Sequence, residues 1–239
     1  MEIGNWVTPR SFGCWFKYTP RVGRLLVYNI TMNKKNVIDT HHVKMVTVYA
    51  SSSSALKPVY YDAARRLGEV LAGAGKSIMY GAGGHGLMGA VADGALSRNG
   101  EVYGVVPSFL QNLELTHQSL TGLKIVEDMH TRKQLMLEGS DAVVTLPGGS
   151  GTYEEMFEAL TMKRLGQWVG PVILVNTNGF YDGLLEFMNH SIAERFMGSS
   201  HLKMWSVVDE PEDVLDAISN SHDWDSDALQ FANVTVANA

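Results

Sequence analysis

The sequence predicts a doubly wound α/β domain, a parallel sheet with helices packed on both faces. From residue 43 onward, short apolar runs alternate with helix-period stretches, the pattern of parallel strands joined by helical crossovers. Runs such as AVVTL and PVILV carry no polar alternation, so both of their faces need cover. Two glycine-rich loops stand where a strand hands over to a helix, the end of such a sheet at which ligands collect.

The first unit is the apolar run VKMVTVYA at 43–50, a serine turn at 51–54 and a helix over 58–74. SIMYG at 77–81 is the second strand and GLMGAVADGAL at 86–96 its helix. VYGVVP at 102–107 is a third strand that runs into a loop, and a helix carrying Met129–Lys133 precedes the fourth strand, AVVTLP at 142–147. The helix TYEEMFEALTMKRL follows at 152–165. PVILVN before FYDGLLEFMNHSIAERF and WSVVDE before EDVLDAIS complete the alternation. Residues 43–219 therefore read as a single nucleotide-binding domain with ligand loops at the carboxyl ends of its strands.

Residues 1–42 show no sustained period and scatter Trp6, Trp15 and Phe16 among basic residues; they read as an extension whose aromatics argue against full disorder. Residues 220–239 lose periodicity and read as a tail. In 239 residues, 45% hydrophobic and 18% charged, there is ample material for one sizeable core. The net charge of −6 is spread without a basic run, which excludes the usual nucleic-acid footprint. A single cysteine, Cys14, excludes an internal disulfide framework. With neither a membrane-length apolar run nor a signal peptide, the expected location is cytoplasmic, and the glycosylation patterns at Asn29 and Asn233 read as accidental.

Gly81-Ala-Gly83-Gly84-His85-Gly86 fits the G-x-G-x-x-G fingerprint of Rossmann-like folds, with Glu101 about 20 residues beyond its start. A complete βα unit already precedes it, whereas the dinucleotide fingerprint sits in the first βα turn. The glycines of this motif, Gly81, Gly83, Gly84 and Gly86, are instead expected to form one wall of a nucleotide cleft, with a plain tight turn as the competing use. His85, His117 and His130 complete no ligand spacing, so no metal is expected.

The second loop, Pro147-Gly148-Gly149-Ser150-Gly151-Thr152, frees successive amides at a helix start and forms an anion seat. It runs directly into Glu154 and Glu155, which a phosphate repels. Thr152 and Glu155 have capping-box spacing, a purely structural use for the second acid. Tyr153, Met156, Phe157 and Leu160 share one helical face and are expected in the core. The two glutamates lie off that face, about 100° apart, and cannot address one atom equally. Arg132 and Lys133 become candidate partners of an anionic substrate, although Asp128 and Arg132 also have the spacing of a surface pair.

The stretches MHTRK at 129–133 and PGGSGTYEE at 147–155 resemble the paired signatures MHxRK and PGGxGTxEE of the Lonely Guy (LOG) family, and the likeness continues through 80–96, 102–107 and 176–187. That resemblance implies a cytokinin riboside 5′-monophosphate phosphoribohydrolase, which hydrolyses an N-glycosidic bond to a free N6-substituted adenine and ribose 5-phosphate without a cofactor. It implies roles for Arg132, Lys133, the loop from Pro147 to Thr152, Glu154, Glu155, Thr161 and Glu114, and assembly as a homodimer or higher homo-oligomer. On this reading the loop amides, Ser150 and Thr152 hold the phosphate while Glu155, or Glu154 in its place, faces the sugar carbon as positive charge develops. Met88, Met129 and Met136 are candidates for the apolar wall, with core packing as the competing use. The serine turn at 51–54, where the family has glycine-serine, and the long leader are this chain's departures. A non-enzymatic carrier of a phosphorylated ligand, such as molybdenum cofactor, is the alternative on the same architecture, and a pyridoxal-dependent decarboxylase lacks a lysine singled out by the pattern.

Overall fold

A computed structural model describes residues 43–111, 116–224 and 228. The readings made for residues 1–42, for Glu114, for Asn233 and for all of the tail beyond Trp224 except Ala228 lie outside the described residues. Seven parallel strands form one sheet in the order β4-β3-β2-β1-β5-β6-β7. They are β1 Met45–Tyr49, β2 Ser77–Tyr80, β3 Val102–Pro107, β4 Gly122–Val126, β5 Ala142–Thr145, β6 Val172–Val175 and β7 Ser206–Val208. The helices are α1 Pro58–Gly73, α2 Gly86–Ser97, α3 Met129–Glu138, α4 Ser150–Arg164, α5 Asp182–Ala193 and α6 Val214–Ser219. This is the doubly wound, Rossmann-like architecture expected from the alternation.

The chain winds outward from β1 through β4, then returns to place β5 on the other side of β1. The reversal opens a crevice at the carboxyl ends of these two strands. Tyr49 is paired in register with Thr145, so the loops leaving β1 and β5 start at the same height. The core divides across the sheet: Val46, Val48, Ile78 and Val144 face α1, α2 and α6, while Tyr49, Val143, Val172 and Leu174 face α3, α4 and α5.

Strand β4 corrects the expected loop after β3. It is an edge strand with Leu123, Lys124 and Ile125 exposed, so it offers neither a continuous buried run nor a buried alternation to be read. α4 also begins earlier than expected. Ser150 is its first residue and Gly149 its N-cap, with no side-chain cap, so Thr152 lies inside the helix and the expected capping box does not form. Met156 and Leu160 are buried as expected, whereas Phe157 is exposed, because one helical step carries it off the core stripe.

Candidate active site

The loops after β1 and β5 bound a cavity of about 370 Å³, lined by Ser51, Ser52 and Ser53 on one side and Gly149, Ser150, Gly151 and Thr152 on the other. Gly81, Met88 and Leu110 form a wall, and Met129, Arg132, Glu154 and Glu155 close the remainder. The glycine loop is fixed from below. Leu146 donates its N–H to the Tyr49 carbonyl at 2.9 Å, and its own carbonyl accepts from the Tyr181 hydroxyl at 2.7 Å. Burial, and after it the charge field of Tyr153, holds the Tyr181 phenol protonated well above its ordinary range, so it remains a donor.

Along this loop the glycines divide into two kinds. A Cβ at Gly148 meets the Thr152 side chain within 2.1 Å, so its identity serves packing. At Gly149 and Gly151 a Cβ meets nothing within 4 Å, and neither residue has a positive φ. Neither sterics nor backbone conformation requires glycine there; the space belongs to the cavity. The first-turn amides of α4 receive no side-chain cap, which leaves the helix N-terminus suited to an anion.

One turn into α4 stand the acids. Glu155 faces Arg132 at 3.8 Å from Oε1 to Nη2, with side chains 11% and 6% exposed. Arg132 also directs Nη1 at the Met129 sulfur at 3.7 Å, and its buried Nε–H has no acceptor among the described residues. α3 holds Arg132 in place through its own cap, for the Asp128 carboxylate accepts from the Thr131 amide at 2.8 Å. That bond keeps the Asp128 carboxyl below its ordinary range.

Lys133 turns to a different pair: its ammonium bonds Glu154 and lies 2.9 Å from Glu158. Burial works against its charge, but the two carboxylates outweigh it and hold its pKa above the ordinary value. Beneath the acids, burial, and then the fields of Glu155, Glu158 and Glu154, push the Tyr49 phenol far upward. Three carboxylates of α4 thus meet two cations of α3, with Arg132, Glu154 and Glu155 at the cavity and Lys133 and Glu158 behind them. The glutamates do not repel the anion seat unopposed, because α3 supplies Arg132 and Lys133.

The other expected residues are placed as follows. Pro147 and Gly148 border a second, apolar cavity with Leu56, Tyr60 and Phe180, and Ser51, Ser53 and Gly149 line both cavities. Lys133 and Thr161 do not line the main cavity; the exposed Thr161 hydroxyl donates to the Phe157 carbonyl at 2.7 Å. Gly83 packs against Met88, and Gly84 borders a separate polar cavity with His85 and Asp93. Met136 is core, Met129 lines the cavity, and Met88 does both, packing in the core and lining the cavity wall.

The first glycine loop spends its helix start internally. The Leu87 and Met88 amides donate to the Ser51 carbonyl at 2.9 and 3.2 Å, where a dinucleotide would place its pyrophosphate. Gly86, at φ +60°, lets this turn ride over the serine loop, since a Cβ there meets Ser51–Ser53 backbone at 2.6 Å. Sequence reasoning missed Ser51 and Tyr49 as parts of the site, whereas Gly81, expected in the cleft wall with the other glycines of its motif, lines the main cavity. Gly81 stood in the quoted motif, but only the fold brings it against Arg132.

The family described as possible lysine decarboxylase matches residues 88–218, which include α3, the glycine loop and α4. A probable cytokinin riboside 5′-monophosphate phosphoribohydrolase of Oryza sativa subsp. japonica is 40% identical over 169 residues, 70% of this chain and 74% of the relative. A cytokinin riboside 5′-monophosphate phosphoribohydrolase of Rhodococcoides fascians is 41% identical over 155 residues, 64% of this chain and 78% of its own. The chain belongs to the Lonely Guy (LOG) family. Among solved structures, the molybdenum cofactor carrier protein of Chlamydomonas reinhardtii superposes with a TM-score of 0.57 at 17% identity, covering 75% of this chain and 98% of that one. The molybdenum cofactor binding protein of Rippkaea orientalis gives 0.57 at 22% identity, over 74% and 95%. At such identities the likeness is one of fold, which LOG proteins and these carriers share.

Among the described residues no helix is long and apolar enough to cross a membrane, and no group of three or more His, Cys, Asp or Glu is placed to hold a metal ion.

Proposed function

We propose that this chain hydrolyses the N-glycosidic bond of cytokinin riboside 5′-monophosphates, releasing an N6-substituted adenine and ribose 5-phosphate. The observation that carries the reading is the pair Gly149 and Gly151, glycines that nothing in the fold demands, beside uncapped helix amides and one turn before Glu155. The names of the LOG relatives support the same reaction.

A nucleoside monophosphate carries its negative charge at one end of the ribose and its scissile bond at the other. The amides of 150–152, with the Ser150 and Thr152 hydroxyls, hold the phosphate. Glu155 faces the anomeric carbon, stabilises the oxocarbenium-like charge and accepts a proton from the attacking water. The water oxygen bonds to that carbon, and the C–N bonding pair leaves with the base, which takes up a proton. The role of Arg132 is electrostatic: it orients Glu155 and offers its Nε–H to the substrate. Glu154 takes the cavity rim while it holds Lys133.

The reading extends to assembly as a dimer or higher oligomer. Thr161 lies about 16 Å along α4 from Ser150 by helical rise and would reach a substrate only in a neighbouring copy. The direct experiment incubates the protein with adenosine monophosphate, its isopentenyl derivative and the unphosphorylated riboside, then separates the free bases. Base is expected from the monophosphates and not from the riboside. Stoichiometric retention of nucleotide without release would overturn hydrolysis in favour of a carrier.

A further inference from the structure

We propose that Gly81 is a positioning residue for Arg132, kept free of a side chain so that the guanidinium can lie beside Glu155. The inference rests on the hydrolase reading for its kinetic consequence and on geometry for its cause. Gly81 follows β2 directly and lines the main cavity. Its φ is not positive, so backbone conformation does not call for glycine. What calls for it is space. A Cβ built there falls 1.9 Å from Arg132 Nη2, 3.0 Å from its Cζ and 3.3 Å from the Met88 sulfur.

Nη2 is the nitrogen that stands 3.8 Å from Glu155. A methyl group at position 81 therefore crowds the nitrogen that faces the carboxylate. Arg132 is 5% exposed, and Met88 closes the neighbouring side, so the end of the side chain gives way to the methyl by moving into the cavity that both residues line. Alanine at 81 turns it away from Glu155, with no change in either charged residue. The glycine is read by the arginine.

The test is Gly81→Ala, alone and combined with Arg132→Lys, whose shorter side chain removes the colliding nitrogen. Alone, it is expected to lower kcat for base release roughly 100-fold, with KM changed by less than about threefold. In the Arg132→Lys background it is expected to cost nothing further. A wild-type kcat, or the same additional loss in both backgrounds, overturns the proposal. Should Gly81→Ala fail to fold, the double variant is expected to fold, and its failure would show that the fold itself needs the glycine. A wild-type protein that releases no base defeats the hydrolase reading alone. Gly81 is then judged by the Arg132 Nε–H resonance in ¹⁵N spectra, identified by its loss in Arg132→Lys: a shift in Gly81→Ala supports the contact, and an unmoved signal overturns it.

Discussion

In the proposed reaction Arg132 and Glu155 act as a pair because they are buried together at a cavity wall. In that setting the guanidinium fixes the direction of the carboxylate it faces, the condition for meeting a developing cation. Glu155→Gln keeps the volume and removes the charge; base release is expected to fall by about 10² to 10⁴, with the thermal midpoint little changed. Arg132→Ala is expected to lower turnover by about 10² or more, measured in the same assay with circular dichroism as the folding control. Gly149 and Gly151 test the other half of the site. Alanine at either position meets open space, so stability is expected to hold. The added methyl stands in the anion's way, and KM for the monophosphate is expected to rise about tenfold or more; an unchanged KM would show that phosphate does not approach these amides.

At the scale of elements, α1 and α2 pack closely enough for backbone to touch backbone. A Cβ at Gly68 falls 2.1 Å from the Val91 carbonyl oxygen, and one at Gly94 falls 2.1 Å from that of Arg65. Gly94→Ala must push the helices apart and is expected to lower unfolding free energy by about 1 to 3 kcal/mol or more, measurable by urea titration; a neutral result would mean the helices are not in register. The strands of the sheet interior were legible because burial on both faces writes itself as an apolar run, as in AVVT of β5 and VILV of β6. β4 was not, since an exposed edge carries no such demand. The anion loop was legible from its glycines and the cations from their adjacency. The division of labour between Arg132 and Lys133 was not, because it depends on which acid of α4 each one meets across the gap to α3. The contact between Gly81 and Arg132 was hidden for the same reason: positions 81 and 132 lie far apart in sequence and only the fold brings them together.

For the molecule as a whole, stability carries the mark of one misplaced charge. Lys163 on α4 is 1% exposed, and its ammonium donates to the Gly170 carbonyl at 2.7 Å, with no carboxylate pair among the described residues. Burial lowers its pKa from 10.5 to about 8. The unfolded chain therefore holds this proton more tightly than the folded one. Below about pH 8 the folded protein bears the full cost of a buried charge, on the order of 3 kcal/mol for such a shift. Between about pH 8 and 10.5 the unfolded state binds more protons, so Lys163's contribution turns less unfavourable as pH rises and its penalty is gone above that window. Lys163→Met removes the charge at similar volume while leaving the Gly170 carbonyl without its donor, a separate loss of about 1 to 3 kcal/mol that does not vary with pH. The informative quantity is the difference in unfolding free energy between wild type and Lys163→Met, since other lysines and tyrosines titrate equally in both. From pH 7.5 to 10.5 that difference is expected to move in favour of wild type by on the order of 3 kcal/mol in urea titrations. A flat difference would mean that Lys163 keeps an ordinary pKa in the fold, through an anionic neighbour that opposes its burial.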